Sequence, residues 1–309
     1  MAFPYLQALT VRLAERLGEF PHDFQQRHGT YLARCQNPDG GFSGREGDSD
    51  LYYTAFGLRA LAVLGQLTPA ASKSAAGYLR SCLTGHANVV DFFSLLFARM
   101  ILQVDAGIDV LDQSAADWPG RVAATLESFR TPDGGYGKSA GAKSGSTYHT
   151  FLVGLCYQLL DLPWPGTDAL QQFLLGRQRD DGGFVEVPAM RRSGTNPTAA
   201  GVGIWHLLHG PDVPAPRQED VIDFLAELPS DEGGFRANDR IPLADLLSTF
   251  TAAWTLEQLG ALERIPVEKL RDYVYSLEQP TGGFRAGIWD EQVDIEYTFY
   301  GLGTLALVP

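Results

Sequence analysis

The chain has 309 residues, 45% of them hydrophobic and 11% aromatic, and carries a formal net charge of −13 at pH 7. These figures supply an ample apolar core, and the acidity argues against nucleic acid and against docking on an anionic membrane surface. Cys35, Cys82 and Cys156 are scattered, form neither a disulfide frame nor a metal knuckle, and fit a reducing, cytoplasmic setting.

In chain order, residues 1–20 interleave Arg12, Glu15, Arg16 and Glu19 with apolar positions. That pattern predicts an amphipathic helix, neither a signal peptide nor a membrane span. A short helix over 28–36 runs into the turn Asp39-Gly40-Gly41-Phe42, and this turn comes back. It recurs as Asp133-Gly134-Gly135-Tyr136, Asp181-Gly182-Gly183-Phe184, Glu232-Gly233-Gly234-Phe235 and Thr281-Gly282-Gly283-Phe284. Counted between first glycines, the spacings are 94, 48, 51 and 49 residues. The first is nearly double the others, so one copy has decayed, near Gly85-His86. Paired glycines permit a tight turn with positive φ, and the aromatic that follows anchors it in the core. A fixed period of this length marks a repeat architecture.

Between the turns, outer helices are predicted over 72–83, 120–129, 167–177, 219–228 and 266–278. Inner helices are predicted near 50–64, 90–103, 146–160, 196–209, 245–259 and 294–307. Each inner helix opens on a capping-type residue: Asp50, Asp91, Ser146, Asn196, Asp245 or Asp294. No segment alternates like a strand, and short linkers predict one domain over 1–309. The inner helices are apolar nearly all round, as in Ala199-Ala200-Gly201-Val202-Gly203-Ile204-Trp205, so they pack on every side or line a cavity. The expected fold is all-α, a single (α/α)6 toroid of six helical hairpins around a central apolar cavity. The N-termini of its inner helices would share one rim.

The stretches Gln36-Asn37-Pro38-Asp39-Gly40-Gly41-Phe42 and Gln178-Arg179-Asp180-Asp181-Gly182-Gly183-Phe184 resemble the repeat turns of the isoprenoid-handling α/α-toroid family. That family includes prenyltransferase β subunits and, more distantly, squalene and terpene cyclases. The resemblance implies a prenyl ligand and leaves room for a partner subunit. In the prenyltransferase branch a catalytic zinc is held by Asp, Cys and His. Here Asp245 keeps the carboxylate, Leu247 stands in the thiolate slot and Tyr297 replaces the His, so the resemblance implies no zinc and no other cofactor. The cyclase branch carries Asp-x-Asp-Asp-Thr with the central Asp as proton donor. Asp294-Ile295-Glu296-Tyr297-Thr298 resembles that frame with Glu296 at the donor position, and the Asp50 to Thr54 stretch is a poorer echo with Tyr52 there.

Protonating an alkene requires an acid kept neutral until use, which burial beside an apolar cavity favours. Glu296, with Asp294 and Asp245 on adjoining helices, is the candidate catalytic cluster; the competing reading makes both aspartates helix caps. Tyr52, Tyr53, Phe56, Phe92, Phe93, Tyr148, His149, Trp205, Phe250, Trp254, Tyr297 and Tyr300 are candidate substrate contacts, against ordinary core packing. Rim arginines Arg191, Arg192, Arg236 and Arg240 are candidates for an anionic group. Three functions follow: a metal-independent cyclase acting by carboxylic-acid protonation, a non-catalytic module binding a prenyl chain or a partner protein, and prenyl transfer with altered ligands.

Overall fold

A computed structural model describes residues 4–83, 88–111 and 117–308. Helix α1 (Tyr5–Gly18) precedes six hairpins, each an outer helix followed by an inner one. They are α2 (His22–Arg34) with α3 (Leu51–Val63), α4 (Pro69–Ser81) with α5 (Val89–Ala106), and α6 (Trp118–Glu127) with α7 (Thr147–Leu159). Then come α8 (Thr167–Arg177) with α9 (Thr195–His209), α10 (Gln218–Ala226) with α11 (Leu246–Gln258), and α12 (Val267–Leu277) with α13 (Ile295–Leu307). Each inner helix packs on the next, and α13 packs on α3, which closes the ring as an α/α toroid. The strand content among the described residues is one two-residue antiparallel pair, β1 (Phe284–Arg285) and β2 (Val293–Asp294), with isolated bridges at the other turns.

The recurring turn does the joining. Its first glycine has φ of 93° at Gly40, 89° at Gly134, 88° at Gly182, 100° at Gly233 and 93° at Gly282, values that L side chains avoid. Each lies against the backbone of a neighbouring outer helix. A Cβ at Gly40 would fall 2.2 Å from the Ser74 carbonyl oxygen, and one at Gly282 would fall 2.5 Å from that of Arg27. The last turn therefore docks on the first hairpin. Buried His28 reinforces the closure: its Nδ1 accepts from the Gly283 N–H at 3.0 Å. Nε2 therefore carries the proton and donates to Glu278 at 3.1 Å.

The aromatic after the glycines is fixed by its backbone. Phe42, Tyr136, Phe184, Phe235 and Phe284 each donate an N–H to a buried threonine hydroxyl, Thr54, Thr150, Thr198, Thr249 and Thr298, at 2.9 to 3.1 Å. The Phe42, Phe184 and Phe284 rings press on Gly57, Gly201 and Gly301, one helical turn on, where a Cβ would collide. The decayed copy at Gly85-His86 lies outside the described residues.

Asp50, Ser146, Asp245 and Asp294 cap their helices, accepting from the N–H groups of Tyr53, His149, Ser248 and Tyr297. Two expected caps differ. Helix α5 is capped by Asn88, which accepts from Val90 and Asp91 N–H, so Asp91 sits in the first turn. Helix α9 follows Gly194 with no side-chain cap. Asn196 lies inside it and accepts instead from the Thr251 hydroxyl at 2.7 Å. Cys156 is buried and Cys35 and Cys82 are half-buried, all three free.

Replacing Gly282 by Ala is expected to destabilise the protein by about 1–3 kcal/mol, because the turn must keep positive φ and its contact with α2. Gly176→Ala in α8, where a Cβ meets nothing within 4 Å, is expected to stabilise by about 0.4–1 kcal/mol. Urea unfolding of both variants measures the contrast.

Candidate functional site

The ring encloses a cavity of about 490 Å³, within the range of roughly 300–1,000 Å³ usual for small-molecule sites. Its wall is built from one face of each inner helix. Helix α1 closes one end, contributing Tyr5, Leu6 and Leu9. The Tyr5 hydroxyl donates to Gln258 at 3.0 Å and accepts from the Trp254 indole at 2.9 Å, and Arg12 pairs with Glu257. Gln258 ends α11, so α1 lies across the C-terminal ends of the inner helices. The opposite end is the rim of helix N-termini, where Tyr148 is 38% exposed.

Glu296 stands in the first turn of α13, and the Tyr52 hydroxyl donates to its Oε1 at 2.6 Å. Burial is the largest influence on its carboxyl and pushes its pKa up; Asp294 adds to this, while hydrogen bonds from Tyr52 and Tyr300 pull the other way. The helix N-terminus favours the carboxylate by up to about 2 kcal/mol, so dipole and desolvation act on this carboxyl in opposite senses. Asp294 is buried and occupied: its Oδ1 caps α13 and its Oδ2 takes the Arg45 Nε at 3.1 Å, with Arg45 also held by Asp290. Asp245 caps α11 and takes the Ser248 hydroxyl at 2.9 Å. Burial raises both aspartate pKa values. The structure thus makes Asp245 and Asp294 caps, keeps Asp294 close enough to raise the Glu296 pKa, and gives Glu296 tyrosine hydrogen-bond partners.

Tyr52, Phe56, Phe93, Tyr148, Phe250, Trp254 and Tyr300 line the cavity. Their packing is mutual: Tyr300 meets Phe56 and Phe250 with ring centroids 5.4 and 5.5 Å apart. The other candidate contacts do not line it. Tyr53 packs edge-on beside Tyr52, and Tyr297 lies in the first turn of α13 behind the wall. Phe92 faces a separate cavity between α5 and α6. His149 turns toward Lys138, and burial with that positive charge lowers its pKa. Trp205 packs tilted against His209, and its indole N–H donates to the Val213 carbonyl. An apolar stripe tells which residues are internal, but on a helix packed on all sides it does not tell which of them face inward. Of the rim arginines, Arg192 pairs with Asp239, and Arg236 bonds the carbonyls of Leu228 and Glu227.

Two wall residues escape sequence reading. Glu186 bonds the Ser146 hydroxyl and accepts from the Tyr148 N–H at 3.3 Å, and burial raises its pKa. It stands two residues after its turn aromatic, where the other repeats carry Gly44, Lys138, Ala237 and Ala286, so aligning the repeats would have singled it out. Arg59, on α3, projects among aromatic rings, 5.2 Å from the Phe56 centroid, 4.7 Å from Phe97 and 4.1 Å from Phe299. Such contacts contribute about 0.5–2 kcal/mol each. Burial nevertheless lowers its pKa to about 10.

A ring of helical hairpins with parallel inner helices around an aromatic cavity defines an α/α toroid. The family model described as the prenyltransferase alpha-alpha toroid domain matches residues 1–185 and 201–308, and the chain belongs to that family. No curated protein sequence matches it. Among solved structures, Candida albicans protein geranylgeranyltransferase-I complexed with GGPP superposes with a TM-score of 0.70 at 16% identity, over 92% of this chain and 90% of that one. A type II terpene cyclase from Scytonema gives 0.62 at 12% identity, over 95% and 98%. The GH76A alpha-1,6-mannanase from Salegentibacter gives 0.60 at 13% identity, over 96% and 97%. At these identities the likeness is one of fold.

The residues at the zinc positions of the prenyltransferase branch do not fit that metal. Asp245 is engaged by Ser248, Leu247 presents only hydrocarbon to the cavity, and Tyr297 offers a phenol whose pKa burial drives upward. Among the described residues, no group of three or more His, Cys, Asp or Glu side chains is placed to hold a metal. No helix among them is long and apolar enough to cross a membrane.

Metal analysis after equilibration with zinc is expected to show no tightly held equivalent, and Asp245→Ala is expected to cost about 0.5–2 kcal/mol as a lost cap. Because the native state holds the Glu296 proton more tightly than the unfolded chain, stability contributed by this group is present below the ordinary value of 4.5 and is lost as pH rises. Glu296→Gln does not titrate, so its melting temperature is expected to gain on the wild type as pH rises above 4.5. Thermal unfolding at pH 4.5 and at neutral pH measures the trend.

Proposed function

We propose that this toroid takes a prenyl chain into its central cavity and acts on it as a metal-independent, class II-like cyclase, with Glu296 as the acid. The observation that carries the reading is the 2.6 Å bond between Tyr52 and a buried carboxyl whose pKa is raised, set beside an aromatic-walled cavity. Tyr52 lines the cavity while Glu296 stands behind it, so the proton travels in relay. For the step the neutral Glu296 acid donates its own hydrogen bond to Tyr52 Oη, which releases the Tyr52 hydroxyl hydrogen from Oε1 toward the cavity. That hydrogen then passes to the terminal alkene carbon as the Glu296 proton passes to Tyr52 Oη. The alkene π pair becomes the new C–H bond and leaves a tertiary carbocation, which the next alkene attacks to close a ring. The Glu296 carboxylate left behind accepts the Tyr52 hydroxyl and sits at a helix N-terminus that favours its charge. Loss of a proton from the final cation restores the acid, so the reaction is an isomerisation. The faces of Phe56, Phe250 and Tyr300 stabilise the travelling charge by roughly 0.5–2 kcal/mol each.

A second reading, a binding module for a prenyl chain or for a partner subunit, is favoured by Arg59. A fixed guanidinium over three aromatic faces repels a carbocation and occupies rings that would stabilise it.

Incubation with linear prenyl diphosphates, prenylated aromatics and squalene, followed by mass spectrometry, tests the pair. Cyclisation is expected in the wild type. Glu296→Gln and Tyr52→Phe should each lower the rate by about 10²–10⁴-fold, and the double variant should be little worse, since both break one relay. Equal turnover by wild type and Glu296→Gln removes Glu296 from the role. Binding without turnover by any protein establishes the module instead.

A further inference from the structure

Arg59 is the one cationic side chain in the cavity wall among the described residues. It is half-buried, set in the barrel with its side chain lining the cavity. No hydrogen bond or ion pair from a described residue reaches its guanidinium. Its neighbours are the rings of Phe56, Phe97 and Phe299, which lie over it and accept none of its five N–H donors. The polar groups that act on it are the phenols of Tyr300, Tyr52 and Tyr148, not carboxylates. The two acids of the site are engaged elsewhere, Glu296 with Tyr52 and Glu186 with Ser146 and the Tyr148 N–H.

The contrast within the molecule is sharp. Arg45, Arg177, Arg192, Arg217 and Arg264 all find carboxylates. A half-buried guanidinium ringed by aromatic faces and left without an anion keeps N–H donors free toward the cavity, and its planar fork is suited to an oxyanion that takes two parallel hydrogen bonds. The rest of the wall is apolar and aromatic, so the anion must arrive attached to hydrocarbon. Its charge is bounded as well. One guanidinium, with no lysine and no second arginine in the wall, balances a single negative charge and not a diphosphate.

From this geometry we infer that the cavity's ligand is a monoanionic amphiphile, an apolar chain bearing a carboxylate, and that Arg59 receives the carboxylate inside the barrel. The inference shares with the proposed function the apolar chain in the cavity and is independent of proton transfer. It also resolves the conflict that Arg59 poses for a cyclase. With a carboxylate paired to it, the guanidinium no longer presents a bare charge to a carbocation forming nearer Tyr52.

Isothermal titration with farnesoic acid, farnesol and farnesyl diphosphate tests it, using wild type, Arg59→Leu, Arg59→Lys and Glu296→Gln. Wild type and Glu296→Gln are expected to bind the acid at least about tenfold more tightly than the alcohol, as for a charge-assisted bidentate pair, and more tightly than the diphosphate. Arg59→Leu should abolish that preference while leaving farnesol affinity equal or higher, and Arg59→Lys should keep part of it. Equal binding of acid and alcohol by wild type overturns the inference, and that comparison decides alone if Arg59→Leu does not fold. A preference for the acid that survives in Arg59→Leu, or tightest binding of the diphosphate, overturns it too. Acid binding through Arg59 without turnover upholds it while removing the cyclase reading, and turnover of a prenyl chain with no acid preference does the reverse.

Discussion

Five times around the ring, a backbone N–H just after two glycines donates to a threonine hydroxyl one turn inside the neighbouring inner helix. Each of these bonds is buried, and leaving such a donor unpaired costs about 1–3 kcal/mol. The bond ties the loop to the helix N-terminus, the glycine lets the loop touch the next outer helix, and the aromatic ring fills the space between. Every contact in this set crosses from one element to another, so the spacing of hairpins around the ring is set by turn chemistry as much as by helix packing. The closure through His28 and Gly283 shows the same economy: one neutral imidazole accepts from the last turn and donates to the helix beside it.

The same joint places the chemistry. Because every turn sits at the N-terminal end of an inner helix, the polar groups that cap those helices gather at one rim, and the opposite end is closed by α1 through Tyr5 and Arg12. A carboxylate at this rim faces two opposed demands. Asp245 and Asp294 satisfy the helix ends as ordinary caps. Glu296, two residues further on, points away from the capping position toward Tyr52, and burial raises its pKa. The cap and the bond to Tyr52 thus fall to two acids, Asp294 and Glu296, two residues apart in one sequence stretch.

Most of the toroid could be read from the chain because its repeat is written in residue types with one conformational use. Gly40 or Gly282 has no substitute at its φ, the position of α11 follows from the turn before it, and that of α8 from the turn after it. Helix caps were less legible. Asp91 and Asn196 have the chemistry of caps, but Asn88 and Gly194 occupy the extended position just outside each helix. The cavity wall was the least legible. Trp205 and Trp254 are both aromatic residues late in inner helices, yet only Trp254 faces inward, and the difference is one of helix rotation that apolar periodicity cannot encode. Arg59 was missed for the converse reason: a lone arginine in an apolar helix looks like a solvated residue until its neighbours are known. The threonine in the cyclase-like frame has a plainer origin than catalysis, since Thr298 is the turn acceptor that four other hairpins share.

Tyr5 belongs to no hairpin, yet it and Trp254 form the partition between the central cavity and a second one of about 460 Å³ on the far side of α1. The depth available to a guest is therefore decided by a helix outside the ring, and by one phenol on it held between an indole and an amide. The cavity's depth and its rim of caps and turns are thus set by different parts of the chain. A shorter side chain at that partition would merge the two chambers into a passage, while every cap, turn and rim residue kept its place. Guest length can drift in such a scaffold with no change in its chemistry.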